Sequence, residues 1–162
     1  MDFEQRLAKA IERGQRLTQD RQASKEREAV SEEDLKRLHV KYRLELADHI
    51  EQCLKRLPGH FPGFQFEPVV SERGWGASVS RDDVSTAGKR RSNVFSRLEM
   101  VIRPISQYHV LELTAKGTIR NKELFNRTHY QRLHEADPTS FAELIDLWVL
   151  EFAELFTAQG AL

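Results

Sequence analysis

The chain has 162 residues, of which 40% are hydrophobic and 31% are charged, and its formal net charge is zero. This composition is typical of a soluble folded domain with polar extensions, and a neutral chain has little long-range attraction for nucleic acid. No apolar run approaches the roughly 20 residues that span a bilayer. The N-terminal MDFEQRLAKAIERG does not match a signal peptide, and a single cysteine, Cys53, excludes an internal disulfide. We therefore expect a cytoplasmic protein that does not associate with membranes.

The N-terminal segment carries an amphipathic helical pattern. Apolar side chains recur there at steps of three and four residues, namely Phe3, Leu7, Ala10, Ile11 and Leu17. Residues 18–34 then contain almost no large apolar side chain, and the sequence does not distinguish a helical extension from a flexible link. We predict a charged N-terminal helix or extension over residues 1–30 and a single α+β domain over residues 31–162.

A second helix is predicted over residues 32–57. Ser31 and Asp34 resemble a capping pair at its start, and Pro58-Gly59 marks its end. Between them lies one apolar stripe at helical spacing, formed by Leu35, Leu38, Tyr42, Leu46, His49, Ile50, Cys53 and Leu57.

After Phe61 the hydrophobic period changes to two, which predicts β-strands. Pro68 places the first of these at a sheet edge, because proline cannot donate to a strand ladder. WGASVS at 75–80 predicts a short strand, residues 81–92 predict a polar loop, and two half-buried strands follow within 93–104 and 108–119. Such closely spaced strands are typical of an antiparallel meander with one solvated face.

Residues 120–134, RNKELFNRTHYQRLH, predict the last strand of the sheet. The pattern has no clean apolar face, which suits an edge strand, and Asn121-Lys122 can turn the chain before it. Phe125 and Tyr130 are expected to anchor opposite sides. The remaining polar residues are interpreted as hydrogen-bonding struts or as a binding rim, namely Asn126, Arg127 and His129, with Tyr130 beside them.

The C-terminal helix begins at Asp137-Pro138, an N-cap residue followed by proline in the first turn. Its broad apolar face is expected to cover the sheet. Leu147 and Leu150 project from the other side, so this helix is expected to be buried on more than one side. The predicted fold is thus α+β: a long N-terminal helical region, a four- to five-stranded antiparallel meander and a C-terminal helix on one sheet face.

The sequence contains no recognisable catalytic or cofactor motif, and we predict no catalytic residue and no cofactor. None of the six histidines belongs to a zinc signature. His49 and Cys53 share a helix face at a spacing of four and have metal-ligating side chains, but their apolar stripe favours packing, so no metal is predicted. An enzyme would need a constellation assembled in three dimensions, for which the candidates are His109, His129 and Glu123.

A basic run in the long loop offers a possible nucleic-acid site. Lys89, Arg90 and Arg91 form this run, and Trp75 and Phe95 supply aromatic surfaces on which bases stack. The competing interpretation is a solvated loop tip whose charges prevent edge pairing. Zero net charge favours the second interpretation.

The leading functional hypothesis is a non-enzymatic protein-binding or adaptor domain that forms a homodimer. Helix surfaces would mediate association, through Leu7 and Ile11 near the N-terminus and Leu147 and Leu150 near the C-terminus. One alternative is a nucleic-acid-associated module that uses the loop at 89–91. The other is a small-molecule-binding or enzymatic pocket between the inner sheet face and the helices.

Overall fold

A computed structural model describes residues 2–85 and 91–159, except the side chains of residues 28–30 and 85. In chain order the elements are α1 (Phe3–Leu54), α2 (Leu57–His60), β1 (Gln65–Ser71), β2 (Gly74–Ser85), β3 (Ser92–Ile102), β4 (Val110–Ile119), β5 (Lys122–Arg132), a 3-10 turn (Leu133–Glu135) and α3 (Pro138–Ala158). The α+β prediction of a long N-terminal helix, an antiparallel meander and a C-terminal helix on the sheet is confirmed.

Helix α1 is continuous from Phe3 to Leu54, so the predicted helix start at Ser31 is wrong. Residues 18–34 are helical because they consist largely of good helix formers and contain neither glycine nor proline. Ion pairs at a spacing of four, such as Glu12–Arg16 and Glu33–Arg37, add support.

The chain divides into two compact units, Met1–Arg37 and Leu38–Leu162. In the first unit every described side chain is exposed except the half-buried Leu35. The described residues of this unit therefore form no core of their own. The second unit contains the sheet, the C-terminal part of α1, and helices α2 and α3.

The five strands lie in the order β1-β2-β3-β4-β5, and each pairs with the next in antiparallel orientation. The predicted edge positions of the Pro68 strand and of the last strand are confirmed. The predicted loop at 81–92 is too long, because β2 continues to Ser85 and pairs with Ser92 on β3. At this end Arg81 Nε donates to Asp83 Oδ1 over 2.8 Å, and Arg81 Nη1 donates to the carbonyl oxygen of Pro62 over 3.1 Å.

The core of the second unit lies between the sheet and α3. The N-cap prediction holds, since Asp137 accepts a hydrogen bond of 3.0 Å from the backbone N–H of Thr139. One face of α3 is buried, through Phe141, Ile145, Trp148, Val149, Phe152 and Phe156. Leu147 and Leu150 on the other face are 60% and 65% exposed, so α3 is covered on one side only. Among the described residues, no helix combines the length and the apolar composition needed to cross a bilayer.

Candidate functional site

A groove of about 560 Å³ runs beside α3 in the second unit. Its walls come from the end of α1, from α2 and from α3, and it is lined by Cys53, Arg56, Leu57, His60, Phe61, Asp146, Val149, Leu150 and Ala153. None of these residues belongs to a strand. The position differs from the expected pocket on the inner sheet face, because large side chains such as Leu98, Met100 and Leu113 are fully buried there.

Three side chains with metal-ligating atoms meet at this groove. His49 Nε2 lies 2.8 Å from Asp146 Oδ1, and Cys53 Sγ lies 3.3 Å from the same oxygen. The His49 and Cys53 atoms are 3.7 Å apart. We call this group, His49, Cys53 and Asp146, the His-Cys-Asp cluster. The i, i+4 spacing on α1 places the first two on one helix face, and α3 supplies the third.

The cluster keeps the Cys53 thiol protonated at neutral pH. Burial raises the pKa of this thiol most, and together with the hydrogen bond to Asp146 and the charge of that carboxylate it brings the pKa to about 11. A nucleophilic cysteine needs the opposite environment, one that lowers its pKa. The thiol and the imidazole also converge on one carboxylate oxygen rather than forming a chain from nucleophile to base to orienting group. The arrangement therefore does not match a cysteine-histidine catalytic pair.

Sequence reasoning identified His49 and Cys53 as a candidate pair but missed Asp146. The carboxylate lies 93 residues from Cys53 and belongs to an acidic helix. The sequence does not distinguish it as a candidate ligand from Glu143, Glu151 and Glu154 on the same helix. Only the packing of α1 beside α3 distinguishes Asp146 from these neighbours.

The polar residues of β5 fall on two faces of the sheet. Arg127 and His129 face α3: Arg127 forms a two-pronged ion pair with Glu151, and the His129 ring lies 5.0 Å from that of Phe141. Asn126 and Tyr130 are exposed on the opposite face, where Tyr130 is 66% exposed. The structure thus divides the four residues of the predicted rim between two faces of the sheet, and Arg127 contacts helix α3.

Gln131 extends this support to the start of α3. Its side-chain nitrogen lies 3.2 Å from His129 Nε2 and donates to Ser140 Oγ over 3.0 Å. Its carbonyl oxygen accepts from the backbone N–H of Asp137 over 2.8 Å. The inner face of β5 is therefore engaged in holding α3.

Trp75 is the second residue of β2 and lies ten residues before Ser85, the last residue of that strand. This corresponds to a separation of about 33 Å along the strand. The Trp75 ring is covered by Arg43, whose guanidinium carbon lies 4.2 Å from the ring centroid. Lys89 and Arg90 lie outside the described residues, and Arg91 is exposed. The predicted combination of Trp75 with Lys89 and Arg90 thus stays a prediction.

The four residues of the predicted protein interface are all exposed. Leu7 and Ile11 lie on α1 within the first unit, and Leu147 and Leu150 lie on α3 within the second. Leu150 also lines the groove. No family model, curated protein or solved structure matches this chain.

Proposed function

We propose that this chain is a protein-binding module that forms a homodimer through the apolar face of its N-terminal helical segment. We call that face the N-terminal seam: Phe3, Leu7, Ile11 and Leu17. The observation that supports it is the exposure of all four side chains on a helical segment that buries none of its described side chains within its own unit.

A second copy of the same segment fits this seam for two physical reasons. Isolated helices gain little from propensity alone and depend on packing of an apolar face, so an uncovered seam lacks the usual source of helix stability. Apolar residues at steps of three and four are also the pattern that pairs helices in coiled coils. The flanking charges have both signs, as in the Glu12–Arg16 pair, so two copies do not meet as like-charged surfaces.

The test is the molar mass of the full chain, measured by size-exclusion chromatography with light scattering at tens of micromolar. We expect a dimer for the wild type and a monomer for the double variant Leu7→Glu/Ile11→Glu. The matched control is Gln5→Glu/Gln19→Glu, which makes the same change of charge on the helix but on the face opposite the seam. The control should remain dimeric.

A monomeric wild type would refute the proposal, and so would a seam variant that stays dimeric. A further double variant separates the two exposed surfaces. Leu147→Ser/Leu150→Ser removes the apolar patch of α3 and should leave the mass at that of a dimer. If this variant alone became monomeric, α3 would form the dimer and the seam would not.

We further propose that the protein acts in the cytoplasm and that Cys53 does not act as a nucleophile. The free Cys53 supports the location, because unpaired cysteines are usual in reducing compartments. The protonated state of that thiol supports a binding rather than a nucleophilic role.

A further inference from the structure

We propose that the His-Cys-Asp cluster binds one divalent transition-metal ion of the zinc class, with an open coordination position towards the helix groove. The inference does not depend on dimerisation, since all three ligands come from one chain and lie within the second unit. It assigns a metal-binding role to the side of the groove that Cys53 and Asp146 line, which the sequence motifs did not predict.

The dimensions of the cluster fit such an ion. The three ligand atoms lie within 4.8 Å of one another, with separations of 2.8, 3.3 and 3.7 Å. Tetrahedral zinc with bonds of about 2.0–2.3 Å requires its ligand atoms to be about 3.3–3.6 Å apart. The imidazole and carboxylate would separate by about 0.5 Å, and the other two distances would change by only a few tenths of an ångström.

The chemistry of the three ligands selects the class of metal. Imidazole and thiolate are borderline to soft donors that favour zinc and its neighbours, whereas Mg²⁺ and Ca²⁺ favour sites built from oxygen. The side chains are mounted on two helices, and the i, i+4 spacing of His49 and Cys53 holds two donors in fixed register. Three protein ligands and one open position form a known arrangement for zinc.

The surroundings indicate where the open position lies. Cys53 and Asp146 both line the groove, so a fourth ligand would approach from that side. Arg56 also lines the groove. Its charge opposes the cation slightly but is compatible with an anionic fourth ligand such as hydroxide. When the ion binds, the Cys53 Sγ–H bond is broken, the thiolate forms the bond to the metal, and the proton passes to solvent.

Cobalt(II) provides a direct test, because a cobalt–thiolate bond produces a charge-transfer absorption in the near ultraviolet. Full-length protein without a histidine tag is freed of metal with a chelator and titrated with Co²⁺ under anaerobic conditions. We expect the band to saturate at one ion per chain and to disappear when one equivalent of Zn²⁺ is added. Mg²⁺ should leave the band unchanged.

Matched variants assign the ligands. Cys53→Ser should abolish the band, and Asp146→Asn should weaken cobalt binding by at least about tenfold, since it removes a ligand charge. His60→Gln is the control: His60 lines the same groove but is not one of the three clustered residues, so its band should match that of the wild type.

Several outcomes would overturn the site. A wild type without the band lacks the thiolate ligand, and saturation at one ion per two chains indicates a site shared between copies. A band that persists in Cys53→Ser, or binding unchanged in Asp146→Asn, would assign the ion elsewhere. Loss of the band in His60→Gln would do the same. Far-ultraviolet circular dichroism of each variant shows whether it is folded, and the wild-type titration decides the question even if a variant is not.

Discussion

Arg127 on β5 and Glu151 on α3 form a two-pronged ion pair that joins the last edge strand to the helix covering the sheet. Arg127 Nη2 donates to Glu151 Oε1 over 2.7 Å, and Nη1 donates to the other carboxylate oxygen. The same guanidinium lies 4.8 Å from the Phe125 ring centroid. The hydrogen bond from Arg127 lowers the pKa of Glu151, and the bond to Glu151 raises the pKa of Arg127.

This pair should couple measurably in a double-mutant cycle of Arg127→Met and Glu151→Gln. Both side chains are more than a third exposed, so we expect a coupling of about 0.5–1 kcal/mol in the free energy of unfolding, reduced by salt. A carboxyl whose pKa is lowered in the folded state stabilises the protein above its unfolded pKa, and this contribution is lost as the pH falls through the folded pKa. The coupling should therefore be present at pH 7 and disappear under acid conditions.

Urea titrations at pH 7 and under acid conditions would measure this coupling. Glu154→Gln is the matched control, because Glu154 is exposed on the same helix and forms no ion pair among the described residues. A cycle of Arg127→Met with Glu154→Gln should give no coupling. Equal coupling in both cycles would show that only the general charge of α3 matters.

Two glycines should respond to alanine in opposite ways. At Gly76 in β2 an added Cβ would lie 1.9 Å from the backbone oxygen of Met100 on β3, whereas at Gly14 in α1 no atom lies within 4 Å. We expect Gly76→Ala to destabilise the second unit by at least about 2 kcal/mol, because the backbone of β3 must move. Gly14→Ala should instead stabilise its helical segment by about 0.5–1 kcal/mol.

Urea denaturation would measure the destabilisation in Gly76→Ala. The loss of the helical circular dichroism signal on heating would measure the stabilisation in Gly14→Ala. A Gly76→Ala protein of wild-type stability would contradict the close approach of β2 and β3. Gly14 lies on the same helix face as the N-terminal seam, so a loss of helicity in Gly14→Ala would indicate that the added methyl group hinders the pairing of two seams.

The buried His39 should make stability depend on pH. Burial lowers the pKa of His39 below 6.5, the backbone hydrogen bond to Arg103 opposes this shift, and the charge of Arg43 adds to it. Nε2 lies 3.1 Å from the carbonyl oxygen of Arg103 and donates to it in the neutral ring. Below pH 6.5 the unfolded chain binds a proton that the folded chain does not, so the free energy of unfolding should fall as the pH drops through this value.

The measurement is the urea midpoint between pH 8 and pH 5. His39→Gln should be less stable at pH 8 but should show a shallower decline, because the group that binds the proton is gone. His134→Gln is the control at an exposed histidine and should decline as the wild type does. A His39→Gln protein with the wild-type slope would assign the pH dependence to other groups.

Cys53 should react slowly with iodoacetamide when the protein is free of metal. Its pKa of about 11 lies two units above the ordinary value of 9.0, which lowers the thiolate fraction at pH 7.5 on the order of 100-fold. Asp146→Asn should accelerate alkylation, because it removes the carboxylate that accepts the thiol proton and repels the thiolate. Mass spectrometry would measure both rates, with urea-unfolded protein as the reference. A wild-type rate equal to that of the unfolded chain would contradict the Cys53–Asp146 contact.

Local sequence patterns predicted the structure correctly at positions where the chemistry of a single residue determines the backbone conformation or hydrogen bonding around it. Pro68 placed β1 at a sheet edge and Asp137 marked the start of α3, because missing donors and capping act within a few residues. The same reasoning failed at Ser31, where the continued helix overrides a capping signal. The prediction of a loop also failed at residues 81–85. Arg81 and Asp83 lie on the same face of β2 and form an ion pair there, so these charged residues remain in the sheet.

By itself, the amino-acid sequence determined the fold class, the edge positions of β1 and β5 and the start of α3, because hydrophobic period, capping and proline act locally. The tertiary structure alone decided which distant side chains meet. It brought Asp146 to His49 and Cys53, placed Arg43 over the Trp75 ring, and directed Arg127 to Glu151. These contacts depend on the packing of α3 against α1 and the sheet, and local sequence patterns do not encode which faces of distant elements will touch.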